Sequence, residues 1–178
     1  TILTYEIVLY IPGTDSSLPN PIVLDTVVVE DTLDVGLAFI DCISVTASST
    51  FLTTSLTGGF SDACAPDTVN PPNGNPAVTP STGADEELGH IISFDLGDVT
   101  NNNSSEETIT LVYRAVVLNT TTNVDGVSLD NTAELTWDGG EILDDAQDVL
   151  IQEPDLGIIK EANLSEAIPG QRVTYTIT

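Results

Sequence analysis

The chain has 178 residues, the size of one large domain or of a domain joined to part of another. Its 3 basic and 28 acidic side chains leave a net charge of −25. That argues against nucleic-acid binding, which needs Lys and Arg to displace counterions, and against an electrostatic hold on anionic membranes. Hydrophobic residues make up 40%, enough for a core, and aromatics 5%. Val, Ile, Leu and Thr dominate, a composition that suits pleated sheets better than helices.

In chain order, residues 1–11 read as a strand with Leu3, Tyr5, Ile7 and Leu9 on one face. Pro12-Gly13 breaks it, and Pro19-Asn20-Pro21 closes the following loop. Residues 22–30 form a second β-rich run, with Val27, Val29, Asp31 and Leu33 sharing a face. Residues 37–47 are a third strand and residues 51–56 a short fourth. A Pro-rich insertion of irregular chain is expected from about 58 to 89. Order resumes at 90–96, and Asn101 to Ser105 reads as a polar turn. Residues 108–118 alternate strictly, grouping Ile109, Leu111, Tyr113, Ala115 and Val117. Residues 127–137 follow, and Asp138-Gly139-Gly140 reads as a turn into 146–152. No segment combines helical period, cap and length. About eight strands in the first 152 residues favour an all-β, antiparallel β-sandwich; a closed barrel is the alternative.

Cys42 and Cys64 are expected to form a disulfide tying the start of the long loop to the third strand. Two buried free thiols are the alternative. The chain has no Met and is expected to be a processed product or an excerpt of a longer protein. It shows neither a signal peptide nor an apolar run of membrane-spanning length.

The sequence returns to its own beginning. Val173-Thr174-Tyr175-Thr176-Ile177 matches Leu3-Thr4-Tyr5-Glu6-Ile7 at a constant offset of 175 − 5 = 170. A fixed offset is the mark of a repeat array. Residues 1–153 then form one repeat, and 154–178, after Glu153-Pro154-Asp155, supply the first strands of the next repeat or a donated strand. The first strand of the present repeat, equivalent to Leu156–Glu161, is expected to lie ahead of residue 1.

Several segments occur in a characteristic order: Asp31-Thr32-Leu33, Gly36-Leu37, Ile109-Thr110-Leu111-Val112-Tyr113, Asn131-Thr132-Ala133-Glu134-Leu135-Thr136-Trp137, Glu153-Pro154-Asp155-Leu156-Gly157-Ile158-Ile159-Lys160 and Pro169-Gly170-Gln171-Arg172-Val173-Thr174-Tyr175. Together they resemble the DUF11-type repeat of prokaryotic cell-surface proteins, related to fimbrial isopeptide-forming domains. Asp34 departs from the family, which often has Pro there. The resemblance implies immunoglobulin-like sandwiches in tandem on extracellular stalks, layers or filaments. The related isopeptide domains join a first-strand Lys to a last-strand Asn beside a buried acid. Lys160, the chain's single Lys, and Asn131 match the first two roles, and Asp31 is a candidate for the third. Lys160 and Asn131 fall in different repeats. The bland alternative has Lys160 extending to solvent and Asn131 bonding backbone groups.

Acidic clusters occur at Asp85-Glu86-Glu87, at Asp144-Asp145 with Asp148, and at Glu153 with Asp155. The last is the candidate calcium site, at the joint between repeats, since hard oxygen ligands suit that ion; a solvated acidic surface is the plain alternative. Asn102, Asn103, Asn119 and Asn163 open glycosylation sequons. Signatures of nucleophilic, metal-dependent or phosphate-handling enzymes are absent, and His90 is the single His. The sequence therefore predicts a non-enzymatic building block of an extracellular or cell-surface filament, stalk or layer. Its expected partners are neighbouring copies or repeats. A carbohydrate- or ligand-binding adhesin module is the alternative.

Overall fold

The computed structural model describes residues 1–14, 21–66, 74–79, 90–145, 148–153 and 157–178. The fold is an antiparallel β-sandwich. One sheet has the order β1 (Ile2–Ile11), β7 (Glu107–Val117), β3 (Leu37–Ala47). The other runs β10 (Gly140–Asp145), β9 (Asn131–Trp137), β2 (Ile22–Leu33), β6 (His90–Asn101), β4 (Leu52–Thr54), with β5 (Ala77–Thr79) also on β6. Among the described residues the two sheets do not join into a barrel. β8 (Ser128–Leu129) pairs with β11 (Val149–Leu150), and β12 (Lys160–Ala162) with β13 (Tyr175–Ile177).

Period-two alternation builds the core. Ile109, Leu111, Tyr113 and Ala115 of β7 face Ile92, Phe94 and Leu96 of β6 and Val27, Val29 and Leu33 of β2, all in one buried cluster. In β2 the inward set changes parity. Ile22 is buried, but beyond the register shifts at Leu24–Val28 the buried residues are Val27, Val29, Asp31 and Leu33. Thr26 takes a left-handed φ of 52° there and donates its N–H to Asp98 Oδ1 at 3.0 Å. Across the ladder β6 makes the matching shift, from Leu96 to Val99, at Gly97 with φ 65°. An extra residue flips every later side chain to the other face, so this bulge sends Asp31 inward.

Several elements differ from the sequence expectation. The polar turn begins one residue later, because Asn101 ends β6 as a fully buried side chain. Residues 58–89 are not wholly irregular: Gly59–Cys64 form a 3-10 helix burying Phe60 and Ala63, and β5 adds to β6. Residues 67–73 and 80–89 lie outside the described residues, so Asp85, Glu86 and Glu87 do too. The Asp138-Gly139 turn leads at once into β10, which returns along β9 as a hairpin; of the expected 146–152 strand, Val149–Leu150 pair with β8 and Ile151 N–H bonds the Val127 carbonyl. Cys42 and Cys64 are disulfide-bonded with Cα atoms 5.4 Å apart, joining β3 to the 3-10 helix.

Beyond Glu153, residues 154–156 lie outside the described residues. β12 and β13 then form a hairpin whose large apolar side chains stand in solvent, with Ile158 78% and Tyr175 59% exposed.

Candidate functional site

The two sheets have unequal reach. β1 ends its sheet, and on the side away from β7 it has no strand partner among the described residues. The opposing sheet continues past it through β9 and β10. The overhang leaves a groove of about 400 Å³, walled on one side by β1 from Tyr5 to Tyr10 and on the other by the inner faces of β2, β9 and β10. Consecutive residues of β1 line it, so the strand presents its backbone edge as well as its side chains. The floor follows from the register, with Val29 beside Leu135 and Leu135 beside Ile142, then Asp31 beside Ala133.

A polar cluster sits in this groove, which Glu6, Glu134 and Asp144 also line. Asp31 is 1% exposed and Asn131 5%. The Asn131 amide donates to Asp31 Oδ2 at 3.4 Å and to the Tyr113 hydroxyl at 3.2 Å. Tyr113 is fully buried, and the Tyr5 ring stacks on it with centroids 5.2 Å apart. Burial pushes the Asp31 carboxyl up to about 6, although its hydrogen bonds to Tyr113 and Asn131 pull the other way. Burial, and then the nearby Asp31 charge, push the Tyr5 hydroxyl up to about 12, and Tyr113 is raised for the same reasons.

Three oxygens of this cluster lack a hydrogen-bond partner among the described residues: Tyr5 Oη, Asp31 Oδ1 and Asn131 Oδ1. Buried polar atoms are normally paired, and leaving one unpaired costs about 1–3 kcal/mol. Two of the three only accept, and the third can. The cluster is therefore suited to a donor with several N–H groups, such as an ammonium.

The structure brings Asp31 and Asn131 together. It places Lys160 elsewhere, exposed on β12 with Nζ 4.5 Å from the Tyr175 ring centroid. Tyr5 and Tyr113 complete the cluster, and the sequence had grouped them with the apolar core. The available signal was the hydroxyl each carries inward, which needs a partner when buried.

The remaining candidates are dispersed. Glu153 is exposed, its N–H donating to Asp125 Oδ1 at 3.1 Å, and Asp155 lies outside the described residues. Asp144 lines the groove, Asp145 ends β10, and Asp148 accepts from the Ser128 hydroxyl at 2.9 Å. Among the described residues no group of three or more His, Cys, Asp or Glu is placed to hold a metal ion. Among the sequons, Asn102 donates to the Phe51 carbonyl and Asn103 to Glu107 Oε1 at 2.6 Å. Asn119 is exposed, and Asn163 is exposed with its side-chain oxygen accepting from Thr174 N. His90 is buried and accepts the Phe39 N–H on Nδ1, bridging the two sheets.

No protein-family model matches the chain, and a search of curated proteins finds no match. Solved structures similar to it include the pilus backbone protein RrgB of Streptococcus pneumoniae, at 18% identity and a TM-score of 0.43 over 77% of this chain. The full-length major pilin SpaD of Corynebacterium diphtheriae is similar at 17% identity and a TM-score of 0.42 over 97%. The chain spans 24% of the first protein and 36% of the second.

Proposed function

We propose that the chain is a structural building block of an extracellular or cell-surface filament, stalk or layer, joined end to end through strand contacts. The observation that carries this is the groove: a β1 edge with no strand partner among the described residues, beside a largely apolar sheet face, in a chain whose residues 173–177 resemble residues 3–7. An edge strand can take a further strand, and one supplied from a neighbouring repeat is a longitudinal joint. Residues 1–153 are the body of the unit and 154–178 the segment that reaches into the next. The DUF11-like order of segments and the acidic surface fit a secreted structural protein with no turnover chemistry.

A covalent lock is part of the same proposal. The neutral amine of Lys160 from one repeat attacks Cγ of Asn131 in another. The new amide C–N bond replaces the bond to Nδ2, which leaves as ammonia, and the Asp31 carboxyl holds a proton on the carbonyl oxygen. Each link shortens the intact mass by one ammonia. Calcium at Glu153 and Asp155 is a secondary proposal for stiffening the joint.

The test of function is where the chain resides. Antibody raised against it should decorate filaments, stalks or a surface layer on intact cells of the source organism. Label confined to the cell interior, or saturable binding of soluble oligosaccharides by the purified chain, would replace this proposal with a different one.

A further inference from the structure

We infer that the outer face of the β1–β7–β3 sheet is a lateral contact surface whose occupant is the same face of a second copy of this chain, related by a two-fold axis. This rests on the building-block proposal above and adds a side-to-side contact to its end-to-end joint.

Two irregularities in β3 build the face. Leu37, Phe39, Cys42, Val45 and Ala47 of that strand pack toward the core, so its inward residues do not keep a strict spacing of two. The register against β7 slips at Ile40 and again at Ile43. A bulge sets two residues against one; here Ile40 and Asp41 face Arg114, and Ile43 and Ser44 face Val112. Both isoleucines are thereby turned out of the core, and Ile43 is 52% exposed. On β1, Leu3, Tyr5, Ile7 and Leu9 pack inward, which leaves Ile2, Glu6, Val8 and Tyr10 on the outer face. Tyr10 is 64% exposed. Large apolar side chains gathered on one exposed sheet face mark a contact site.

Charge selects the occupant. The outward residues of β1, β7 and β3 include one base, Arg114, and two acids, Glu6 and Asp41, a net of 1 − 2 = −1 in a chain of −25. Arg114 and Asp41 pair with each other. The outer face of the other sheet instead carries Glu30, Asp95, Glu134 and Glu141, with Glu30 directly opposite Glu134. A basic partner is drawn to that acidic face. Another copy of this chain is repelled by it and meets far less repulsion across the β1–β7–β3 face.

The face is also complementary to itself. Asp41 accepts from Nε and one Nη of Arg114, which leaves three of the five guanidinium donors. Glu6 has no ion-pair partner among the described residues. It stands beside Val112, one outward row from Arg114. A two-fold axis between these rows sets Glu6 of each copy against Arg114 of the other, so the contact is isologous and closes on itself. From strand spacing and rise, three strands of about ten residues cover roughly 480 Å² per copy. The total of about 1,000 Å² lies at the lower limit for a specific contact, so a single pair is weak and the effect accumulates along an array.

The experiment uses the full chain at physiological salt, with sedimentation equilibrium to measure association and isoleucine methyl shifts to locate it. A dimer is expected at concentrations up to about 1 mM, the effective concentration of neighbours in an array. Methyl shifts are expected at Ile2, Ile40 and Ile43. Ile43→Asp should weaken the dimer at least about tenfold. Glu6→Arg is the sharper test. It changes the net charge to −25 + 2 = −23, which lessens general repulsion. It also sets arginine against arginine at the contact, so the dimer should weaken at least about fivefold. Glu30→Arg makes the same charge change on the other sheet and should leave the dimer as tight or tighter. Ile43, Glu6 and Glu30 are all exposed, and amide dispersion checks that each variant is folded. The inference is overturned if the chain stays monomeric to about 1 mM, or if Glu6→Arg tightens association as Glu30→Arg does. It is also overturned if the shifts fall at Ile142, Ile158 and Ile177 instead, which would make the association end to end. Surface labelling of cells with a monomeric chain leaves the building-block function standing and removes the lateral contact alone. Label confined to the cell interior with the dimer present removes that function and leaves the contact.

Discussion

A buried carboxylate is a pH-dependent liability, and Asp31 is the clearest one in this molecule. Its carboxyl lies near 6 in the fold and near 3.8 when unfolded, so between those values the folded state binds more protons. Stability then falls as pH rises through that window, and above it the penalty levels off at about 3 kcal/mol, two pKa units' worth. Asp41, held low by its hydrogen bond to Arg114, and Glu107, held low by Ser48 and Asn103, have the opposite slope. The informative quantity is therefore the difference between the natural chain and Asp31→Asn, measured by denaturant unfolding. The variant should gain relative stability from pH 4 to pH 7; a difference flat with pH would show that Asp31 is not the buried titrating group. Asn101 is the opposite case, a polar residue that secures the fold. It is 0% exposed, its amide reaches the Ile11, Pro12 and Ser105 carbonyls at 3.0–3.2 Å, and its oxygen accepts from Asn103 N at 2.8 Å. Asn101→Ala strands these groups and should cost about 3 kcal/mol in the same assay; a loss under about 0.5 kcal/mol would mean the turn re-pairs on its own. Sequence alone placed Asn101 in a solvated turn, because a run of Asn and Ser reads the same whether its first residue faces water or the core.

At the scale of elements, alternation carried most of the information. The inward face of β7 and the Val27, Val29, Asp31, Leu33 face of β2 follow directly from period two. That Asp31 and Asn131 each share a face with apolar neighbours follows too, but what brings them together is the β2–β9 pairing. What alternation could not show was pairing. β10 is short, acidic and rich in exposed residues, so its place beside β9 depends on the Asp138-Gly139 turn and not on hydrophobicity. The overhang that makes the groove is a consequence of sheet order, which no local pattern encodes. The 3-10 helix was hidden in a stretch dominated by Gly, Ser and Asp, yet Phe60 and Ala63 pack into the core and Cys64 ties it to β3. Closing a loop of 22 residues restricts the unfolded chain by about 3 kcal/mol on the chain-entropy model. Replacing both Cys42 and Cys64 by Ser should lower unfolding stability by about that amount and leave the fold intact, since Phe60 and Ala63 still anchor the segment. Loss of dispersed amide resonances throughout the chain would show that the bridge specifies the fold as well as stabilising it.

An end-to-end array of the kind proposed would form between copies that each carry a net charge of −25. Repulsion between copies acts across solvent and is screened over about 30 Å at 0.01 M salt but over about 8 Å at physiological ionic strength. Main-chain hydrogen bonds along the β1 edge carry no net charge, and the apolar groove wall draws on the hydrophobic effect, so neither weakens as salt rises. A joint of this kind predicts that end-to-end association strengthens as salt is raised from 0.01 to 0.15 M. An assembly held mainly by surface ion pairs would instead disperse. Calcium bridging through Glu153 and Asp155 predicts a third pattern, in which a chelator alone takes the assembly apart at constant ionic strength. Sedimentation of the assembled chain under separate salt and chelator titrations separates the three. The expected result is tighter association with salt and little response to chelator. Dispersal by chelator alone would assign the joint to bound cations, and dispersal by salt alone would assign it to exposed charge pairs; either would remove strand pairing as the dominant longitudinal contact.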